Sequence, residues 1–131
     1  MRVLFICRAN VGRSQAAKGF YNLIHPASAD SAGTLVDRPG ERLDQRTGAV
    51  NIIKVMLEQG IDISQSVRVQ LDRQMVERFD QLIVMAEPDT IPKWLSDNPK
   101  TTVWTVPDPK GQDLDRTRRI AGQIKDLVGR L

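Results

Sequence analysis

The chain has 131 residues, of which 40% are hydrophobic and 27% charged, a composition typical of a globular domain and not of a disordered or fibrous chain. Its single cysteine excludes an internal disulfide and suits a reducing compartment, and no stretch approaches the roughly 18 apolar residues of a membrane span. The net charge of +3 comes from basic residues dispersed among acidic ones, which argues against nucleic-acid binding. We therefore expect one cytoplasmic domain over residues 1–131, with neither nucleic acid nor a membrane as a partner.

The predicted elements of the N-terminal half begin with a strand over 3–6, a continuously apolar run of the kind buried on both faces of a sheet. Apolar spacing predicts a helix over 14–24, which His25-Pro26 ends. A short extended segment over 29–32 and a polar loop follow. The clearest helical pattern covers 45–59, and Gly60 is placed to end it in a left-handed conformation.

The C-terminal half repeats the alternation. Asp72 is predicted to cap a short helix, an apolar strand covers 82–85, and a proline-bracketed helix covers 91–95. A fourth strand is predicted over 102–106, before a last helix from residue 114. Strands that alternate with helices predict the α/β class, here a three-layer α/β/α fold with a four-stranded parallel sheet. In such sheets ligands bind at the carboxyl ends of the strands.

The loop between the first strand and the first helix is the segment richest in chemistry. Cys7 follows the strand, and a helix beginning near Ser14 directs its unpaired N–H groups and partial positive charge towards this loop. Asn10 and Gly12 are residues that tolerate a left-handed backbone, and Arg13 adds a planar fork for two oxygens of a tetrahedral anion. We predict an anion-binding nest in which Cys7 faces the bound centre.

A cysteine beside such a nest is a candidate nucleophile. The helix terminus and Arg13 favour its thiolate, which is placed to attack phosphorus or arsenic, and Ser14 is placed to donate a hydrogen bond to the departing sulfur. Isolated cysteines are more often inert core thiols. The combination of the strand with Asn10, Gly12, Arg13 and Ser14 favours the catalytic interpretation.

Expulsion of a leaving group also requires a proton donor on a neighbouring strand-end loop. Asp108 lies between two prolines just after the predicted fourth strand, so it is the candidate acid, although a lone aspartate there would be taken for a turn residue. Asp113 and Asp115 are better explained as caps of the last helix.

These motifs, in this order, resemble those of the low-molecular-weight protein tyrosine phosphatases and of the thioredoxin-type arsenate reductases that share their fold. The matching stretches are CRANVGRS at 7–14, SAGT at 31–34, GIDIS at 60–64 and Asp108-Pro109. We call residues 7–14 the phosphate loop.

The resemblance implies a protein tyrosine phosphatase that hydrolyses phosphomonoesters through a cysteinyl-phosphate intermediate, with neither a metal nor another cofactor. Cys7 would be the nucleophile and Asp108 the general acid and base. The oxyanion would be bound by the phosphate-loop residues Arg8, Ala9, Asn10, Val11, Gly12, Arg13 and Ser14. Asn10, Ser14 and Ser31 would hold the loop in shape.

The chain departs from the phosphatase pattern at four places, one of which is the loop over 35–43, where an aromatic residue is common and none is present. A histidine-containing run after the GIDIS turn is replaced by Ser-Val-Arg-Val at 66–69. Lys110 and Gly111 stand where two aromatic residues usually follow Asp-Pro. Gln15, after Arg-Ser, is typical of the reductases, but the two further cysteines of the thioredoxin-coupled enzymes are missing.

Three functions therefore remain open at the level of sequence. The first is a phosphatase acting on a phosphorylated protein or a small phosphoester, and the second is an arsenate reductase that depends on an external thiol or redoxin. The third is a non-catalytic phosphate-binding module, against which Asp108 argues, because a binder needs no acid.

The remaining polar and aromatic residues carry weaker predictions. His25 is expected to be structural or exposed, and one histidine with one cysteine is too few soft ligands for a metal site. Trp94 and Trp104 are expected to pack in the interior. Glu87 is placed to line the rim, but capping of a helix is the favoured interpretation.

Overall fold

The computed structural model describes residues 1–131 and alternates four strands with four α-helices. The strands are β1 (Val3–Cys7), β2 (Ala29–Gly33), β3 (Gln81–Val84) and β4 (Thr101–Val103). The helices are α1 (Arg13–Ile24), α2 (Val50–Glu58), α3 (Lys93–Ser96) and α4 (Leu114–Gly129). Short 3₁₀ turns lie at Leu43–Gln45, Thr47–Ala49, Met75–Arg78 and Pro88–Thr90.

The sheet is parallel throughout, with the strand order β2-β1-β3-β4. Val3 of β1 pairs with Ala29 on one side and with Gln81 on the other, so β1 lies inside the sheet. Every residue of β1 is buried, which accounts for its unbroken apolar sequence. Because the strands are parallel, the carboxyl ends of β1, β3 and β4 meet at one edge of the sheet.

Helices cover both faces of the sheet, which confirms the predicted three-layer α/β/α fold. Val3 and Phe5 belong to a core cluster with buried residues of α1, α2 and α4. Leu4 and Ile6, which point the other way along the strand, join a second cluster with α3 and the Met75–Arg78 turn.

The helix predicted over 45–59 is wrong at its start. The segment before Val50 forms two 3₁₀ turns, and α2 begins only at Val50. The N–H groups of Gln45, Arg46 and Ala49 donate to carbonyls three residues back, at 3.0 to 3.1 Å, which is the tighter 3₁₀ pattern. Just before this stretch, the N–H groups of Leu43 and Asp44 donate to the distant carbonyls of Ser66 and Ser64, at 3.0 and 2.8 Å. Gly60 has φ +78°, so its predicted left-handed conformation is confirmed.

Other boundaries move by a few residues. β4 is shorter than predicted and begins one residue earlier, at Thr101, while α3 begins at Lys93 because Pro92 occupies its cap position. The segment after Asp72 is a 3₁₀ turn whose cap residue is Gln74, so the predicted position of the cap is wrong, although the Asp72 carboxylate accepts a hydrogen bond from the Met75 N–H at 2.9 Å. None of the helices is both long and apolar enough to cross a membrane.

Candidate active site

Cys7 is the last residue of β1, and its side chain lies at the bottom of a pocket at the carboxyl edge of the sheet. It is only 2% exposed. Helix α1 begins at Arg13, so the phosphate loop makes the short connection from strand to helix. The Cys7 Sγ lies 3.0 Å from the Ser14 Oγ, and the predicted contact between these two side chains is present.

The backbone N–H groups of this loop donate no hydrogen bond within the protein. This holds for every residue from Arg8 through Gln15, and the first N–H that is bonded is that of Ala16, which donates to Gly12 at 3.0 Å. Successive free N–H donors at a helix N-terminus form a site for an anion.

The carbonyl groups of the same loop, in contrast, are held by the surrounding protein. Since the C=O and N–H of a trans peptide point in opposite directions, holding the oxygens fixes the direction of the free N–H groups. The carbonyls of Cys7, Arg8, Ala9, Asn10 and Gly12 accept, in that order, from the Thr34 N–H, the Leu35 N–H, the Arg68 guanidinium, the Gln15 amide and the Ala16 N–H.

Asn10 is the central support of the loop. It has φ +56°, the left-handed conformation that asparagine tolerates, and its side chain is fully buried. Its Nδ2 donates to the Ser14 Oγ at 2.8 Å, while its Oδ1 accepts from the Val69 N–H at 2.8 Å and from Gln15 at 3.2 Å. Because Asn10 donates to the Ser14 oxygen, the Ser14 hydroxyl hydrogen is available to Cys7.

Two expectations about the loop are corrected. Ser31 does not support Asn10, because its buried hydroxyl has no hydrogen-bond partner and the Asn10 oxygen already accepts two other donors. Gly12 has φ −95°, so its backbone is not left-handed. Gly12 is required for space instead, since a Cβ there would lie 2.5 Å from Pro109 Cγ.

The Arg13 side chain lies against the pocket, buried beside two carboxylates. Its Nη1 and Nη2 donate to Glu87 Oε2 and Oε1 at 2.8 and 2.9 Å, and Nη1 also donates to the Val106 carbonyl at 3.2 Å. Burial disfavours the charged form, but the hydrogen bonds to Glu87 and the charges of Cys7 and Asp108 outweigh it and raise the pKa of Arg13.

Glu87 occupies the cap position of the Pro88–Thr90 turn, as the sequence suggested, but its carboxylate makes no capping hydrogen bond and pairs with Arg13 instead. Its backbone carbonyl, not its carboxylate, accepts the hydrogen bonds from Thr90 that begin the Pro88–Thr90 turn. The carboxylate is 40% exposed, and the hydrogen bonds from Arg13 lower the pKa of Glu87 below its ordinary value. A carboxylate at the end of a neighbouring strand was the signal that could have identified it.

Asp108 lies on the loop that follows β4, at the rim of the same pocket. Its Oδ2 is 3.7 Å from Arg13 Nη2, and its Oδ1 accepts from the Lys110 N–H at 3.0 Å. The side chain is 45% exposed, so it faces both the pocket and water. The structure thus brings Asp108, from the C-terminal part of the chain, to Cys7 and Arg13 near the N-terminus.

The pocket itself has a volume of about 360 Å³ and is lined by the phosphate loop, residues 46–52, the acid loop (residues 108–112) and Thr117 of α4. No aromatic side chain lines it. Trp104 packs instead against Phe5 in the core, at 6.2 Å between ring centroids. The rim therefore offers no ring for a phosphotyrosine to stack on.

Asp113 is the N-terminal cap of α4, as predicted, and accepts from the Arg116 N–H at 2.8 Å. Asp115 is not a cap, because its carboxylate pairs with Arg118 at 2.8 Å. Neither residue lines the pocket, which leaves Asp108 as the aspartate with a place in the site.

Arg68 is a functional candidate that the sequence interpretation missed. It lies in the Ser-Val-Arg-Val run, and its guanidinium, 0% exposed, donates to the Ala9 carbonyl from Nε at 3.1 Å and from Nη2 at 2.9 Å. It also pairs with Asp37 and Glu41. Valines alternating with an arginine predict an arginine in solvent, whereas Arg68 is 1% exposed and Val67 is 44% exposed, so the local pattern gave no signal for Arg68.

The whole chain, from residue 2 to residue 131, matches the low molecular weight phosphotyrosine protein phosphatase family. The chain belongs to this family. The match agrees with the geometry above, in which a cysteine and an arginine flank a loop of free N–H donors at the end of a central strand.

Members of the family with different named activities are similar to this chain. A glutaredoxin arsenate reductase from Synechocystis sp. is 28% identical over 132 residues, which cover 99% of this chain and 95% of that protein. A solved low molecular weight protein tyrosine phosphatase from T. tengcongensis is 26% identical, with a TM-score of 0.79 and coverage of 98% and 95%. A solved arsenate reductase in a phosphate-binding state is 27% identical, with a TM-score of 0.80 and coverage of 99% and 95%. Within the family, likeness alone therefore leaves phosphatase and reductase chemistry both open.

Proposed function

We propose that the chain is a phosphatase that hydrolyses phosphomonoesters through a cysteinyl-phosphate intermediate. The observation that carries this proposal is the position of Asp108, a half-exposed carboxylate beside Arg13 at the rim of a pocket that has Cys7 at its bottom. A site that only bound phosphate would gain nothing from a carboxylate beside the anion, because the two negative charges repel.

In the first step, the Cys7 thiolate attacks phosphorus while the free N–H groups of the phosphate loop and Arg13 bind the equatorial oxygens. The S–P bond forms as the bond from phosphorus to the leaving oxygen breaks. Asp108, in its protonated form, transfers its proton to that oxygen.

In the second step, the Asp108 carboxylate removes a proton from a water molecule whose oxygen attacks phosphorus. The S–P bond breaks, and its electron pair returns to sulfur as a thiolate. The Ser14 hydroxyl, 3.0 Å from the Cys7 Sγ, stabilises this leaving thiolate by donating a hydrogen bond to it. Inorganic phosphate is released and Asp108 is again protonated.

A second candidate, arsenate reduction with an external thiol, is favoured by the similarity to the glutaredoxin arsenate reductase. Arsenate would condense with the Cys7 thiol, with loss of water, to form an S–As bond. An external thiol would then attack sulfur, so that arsenic takes the electron pair of that bond and leaves as arsenite. A second external thiol would reduce the resulting mixed disulfide and leave a disulfide of the two donors.

One purified preparation distinguishes the two functions. Release of p-nitrophenol from its phosphate ester measures hydrolysis, and thiol-dependent loss of arsenate, assayed with glutathione plus glutaredoxin and with thioredoxin, measures reduction. Cys7→Ser is the control, because it should abolish turnover in both assays and still bind vanadate. Arg13→Lys should weaken vanadate binding, because an ammonium group cannot donate two parallel hydrogen bonds to one anion as a guanidinium does. Reduction without hydrolysis would establish the second candidate, and activity in neither assay would leave a binding module.

The same preparation can be tested for its preference between phosphotyrosine and other phosphomonoesters. Because no aromatic side chain lines the pocket, we expect at most a weak preference for phosphotyrosine peptides over small phosphomonoesters of similar leaving-group acidity.

A further inference from the structure

Arg68 is a buried guanidinium whose hydrogen-bonding groups are directed at three partners. Nε and Nη2 donate to the Ala9 carbonyl at 3.1 and 2.9 Å, Nη1 donates to Glu41 at 2.8 Å, and Nη2 lies 2.8 Å from an Asp37 carboxylate oxygen. A charge buried in this way is costly unless it is fully paired, as it is here. None of these contacts belongs to the chemistry proposed for Cys7 and Asp108.

The Ala9 carbonyl is the one phosphate-loop oxygen that a charged side chain holds. Most of the others accept from backbone N–H groups or from the neutral Gln15 amide, which also supports Asn10. Without Arg68 the Ala9 oxygen would have no donor. The peptide between Ala9 and Asn10 would then be free to rotate, and with it the Asn10 N–H, which points the opposite way.

We propose that Arg68 is a positioning residue that sets the direction of the Ala9–Asn10 peptide and so keeps the phosphate loop in its anion-binding shape. The proposal rests on the oxyanion binding that the proposed function assumes. It assigns a role to a residue in the stretch where the chain departs from the phosphatase sequence pattern.

The backbone around Arg68 is suited to this role. The Arg68 N–H donates to the Glu41 carbonyl at 2.8 Å, and the Gly40 N–H donates to the Arg68 carbonyl at 2.8 Å. The side chain therefore projects from a backbone that hydrogen bonds hold on both sides, and it can transmit that position to the loop.

The choice of variants separates geometry from net charge. Arg68 and Arg46 both pair with Asp37 and Glu41, at 2.8 to 3.1 Å, and Arg38 lies 3.9 Å from Glu41. Arg68→Met removes one positive charge from this cluster together with the hydrogen bonds to Ala9. Arg68→Lys keeps the charge and loses the planar fork, so any loss of phosphate binding in that variant reports on the shape of the nest.

The test measures alkylation of the single cysteine, which reports on the anion site without requiring turnover. Iodoacetate and iodoacetamide are reacted with Cys7 across a series of inorganic phosphate concentrations. The variants are Arg68→Met and Arg68→Lys. Arg118→Met is the matched control. Arg118 also binds a carboxylate through two nitrogens, since its Nε and Nη2 donate to the two carboxylate oxygens of Glu58 at 2.9 Å, but it lies on α4 and does not line the pocket.

In Arg68→Met we expect the phosphate concentration that half-protects Cys7 to rise about ten- to a hundredfold, as for loss of a charged hydrogen bond. The preference for iodoacetate over iodoacetamide should fall with it, while Arg118→Met should match the wild type. Arg68→Lys retains a donor for the Ala9 carbonyl but cannot bind all three partners, so we expect an intermediate value.

Equal protection of the wild type and of folded Arg68→Met would overturn the proposal and leave the proposed function intact. Should Arg68→Met not fold, wild-type protection in Arg68→Lys would overturn it in the same way. A wild type that phosphate does not protect would instead overturn the oxyanion site itself, and with it this proposal.

Discussion

The guanidinium of Arg13 is held by both oxygens of Glu87, with Nη1 and Nη2 at 2.8 and 2.9 Å from the carboxylate. This pairing uses one edge of the guanidinium, and its Nε donates to no acceptor in the protein. A tetrahedral anion needs a fork of two neighbouring N–H groups. Glu87 therefore orients Arg13 so that its Nε side remains available to the anion.

Glu87→Gln should lower kcat/KM about tenfold, because the amide offers one acceptor where Arg13 needs two and the guanidinium loses its orientation. Steady-state hydrolysis of p-nitrophenyl phosphate and the inhibition constant of vanadate measure the effect. Tighter vanadate binding in this variant would show that Glu87 competes with the anion for Arg13 and does not orient it.

Asp108→Asn should lower turnover by about 10²–10⁴ for an alkyl phosphate, whose leaving oxygen needs a proton, and by less for p-nitrophenyl phosphate. Asp115→Asn is the matched control, since Asp115 is an exposed aspartate outside the pocket. The measurement is kcat for a series of esters of increasing leaving-group pKa. If log kcat plotted against leaving-group pKa had the same slope for Asp108→Asn as for the wild type, another residue would be the general acid.

Gly12→Ala should push the acid loop away from the phosphate loop. The backbone at φ −95° accepts alanine, but the new Cβ would lie 2.5 Å from Pro109 Cγ, and Pro109 adjoins Asp108. We expect turnover of poor leaving groups to fall about tenfold and vanadate affinity to change little.

The control is Gly122→Ala, at an exposed helical position where a Cβ meets nothing within 4 Å. It should leave activity unchanged and stabilise the fold by about 0.5–1 kcal/mol. If Gly12→Ala had full activity towards alkyl phosphates, the contact with Pro109 would not be what places Asp108.

Asp37→Asn should change the response of stability to acid. Hydrogen bonds from Arg68, and then from Arg46, lower the pKa of Asp37 to about 2 in the folded chain. A carboxyl group whose pKa falls on folding stabilises the fold above its unfolded pKa, near 4, and this contribution is lost as the pH falls towards 2.

The urea midpoint of the wild type should therefore decrease more steeply between about pH 4 and pH 2 than that of Asp37→Asn. Asp126→Asn, on α4 and without an ion pair, serves as the control and should follow the wild type. Parallel curves for the wild type and Asp37→Asn would show that the ion pairs with Arg68 and Arg46 contribute no pH-dependent stability.

Local sequence determined the order of strands and helices, but not the start of α2 or the extent of β4. Val3 to Cys7 forms a buried strand because its apolar run suits both faces of a parallel sheet. Asn10 adopts the left-handed conformation that its side chain tolerates, and Asp113 caps α4. These outcomes depend on neighbours along the chain, so patterns of a few residues predict them.

Tertiary structure alone decided which charged groups meet. Glu87 lies 74 residues from Arg13, and Arg68 lies 59 residues from Ala9, so no local pattern relates them. Arg13 and Glu87 meet because the parallel strands β1 and β3 place their carboxyl ends at one edge, whereas Arg68 reaches Ala9 from the segment between α2 and β3. In both cases a buried charge must find partners. The sequence by itself determined that Cys7 and Arg13 lie at the two ends of a connection from strand to helix. The packing of distant segments decided what holds that loop, because a buried hydrogen bond forms wherever the fold brings a donor to an acceptor.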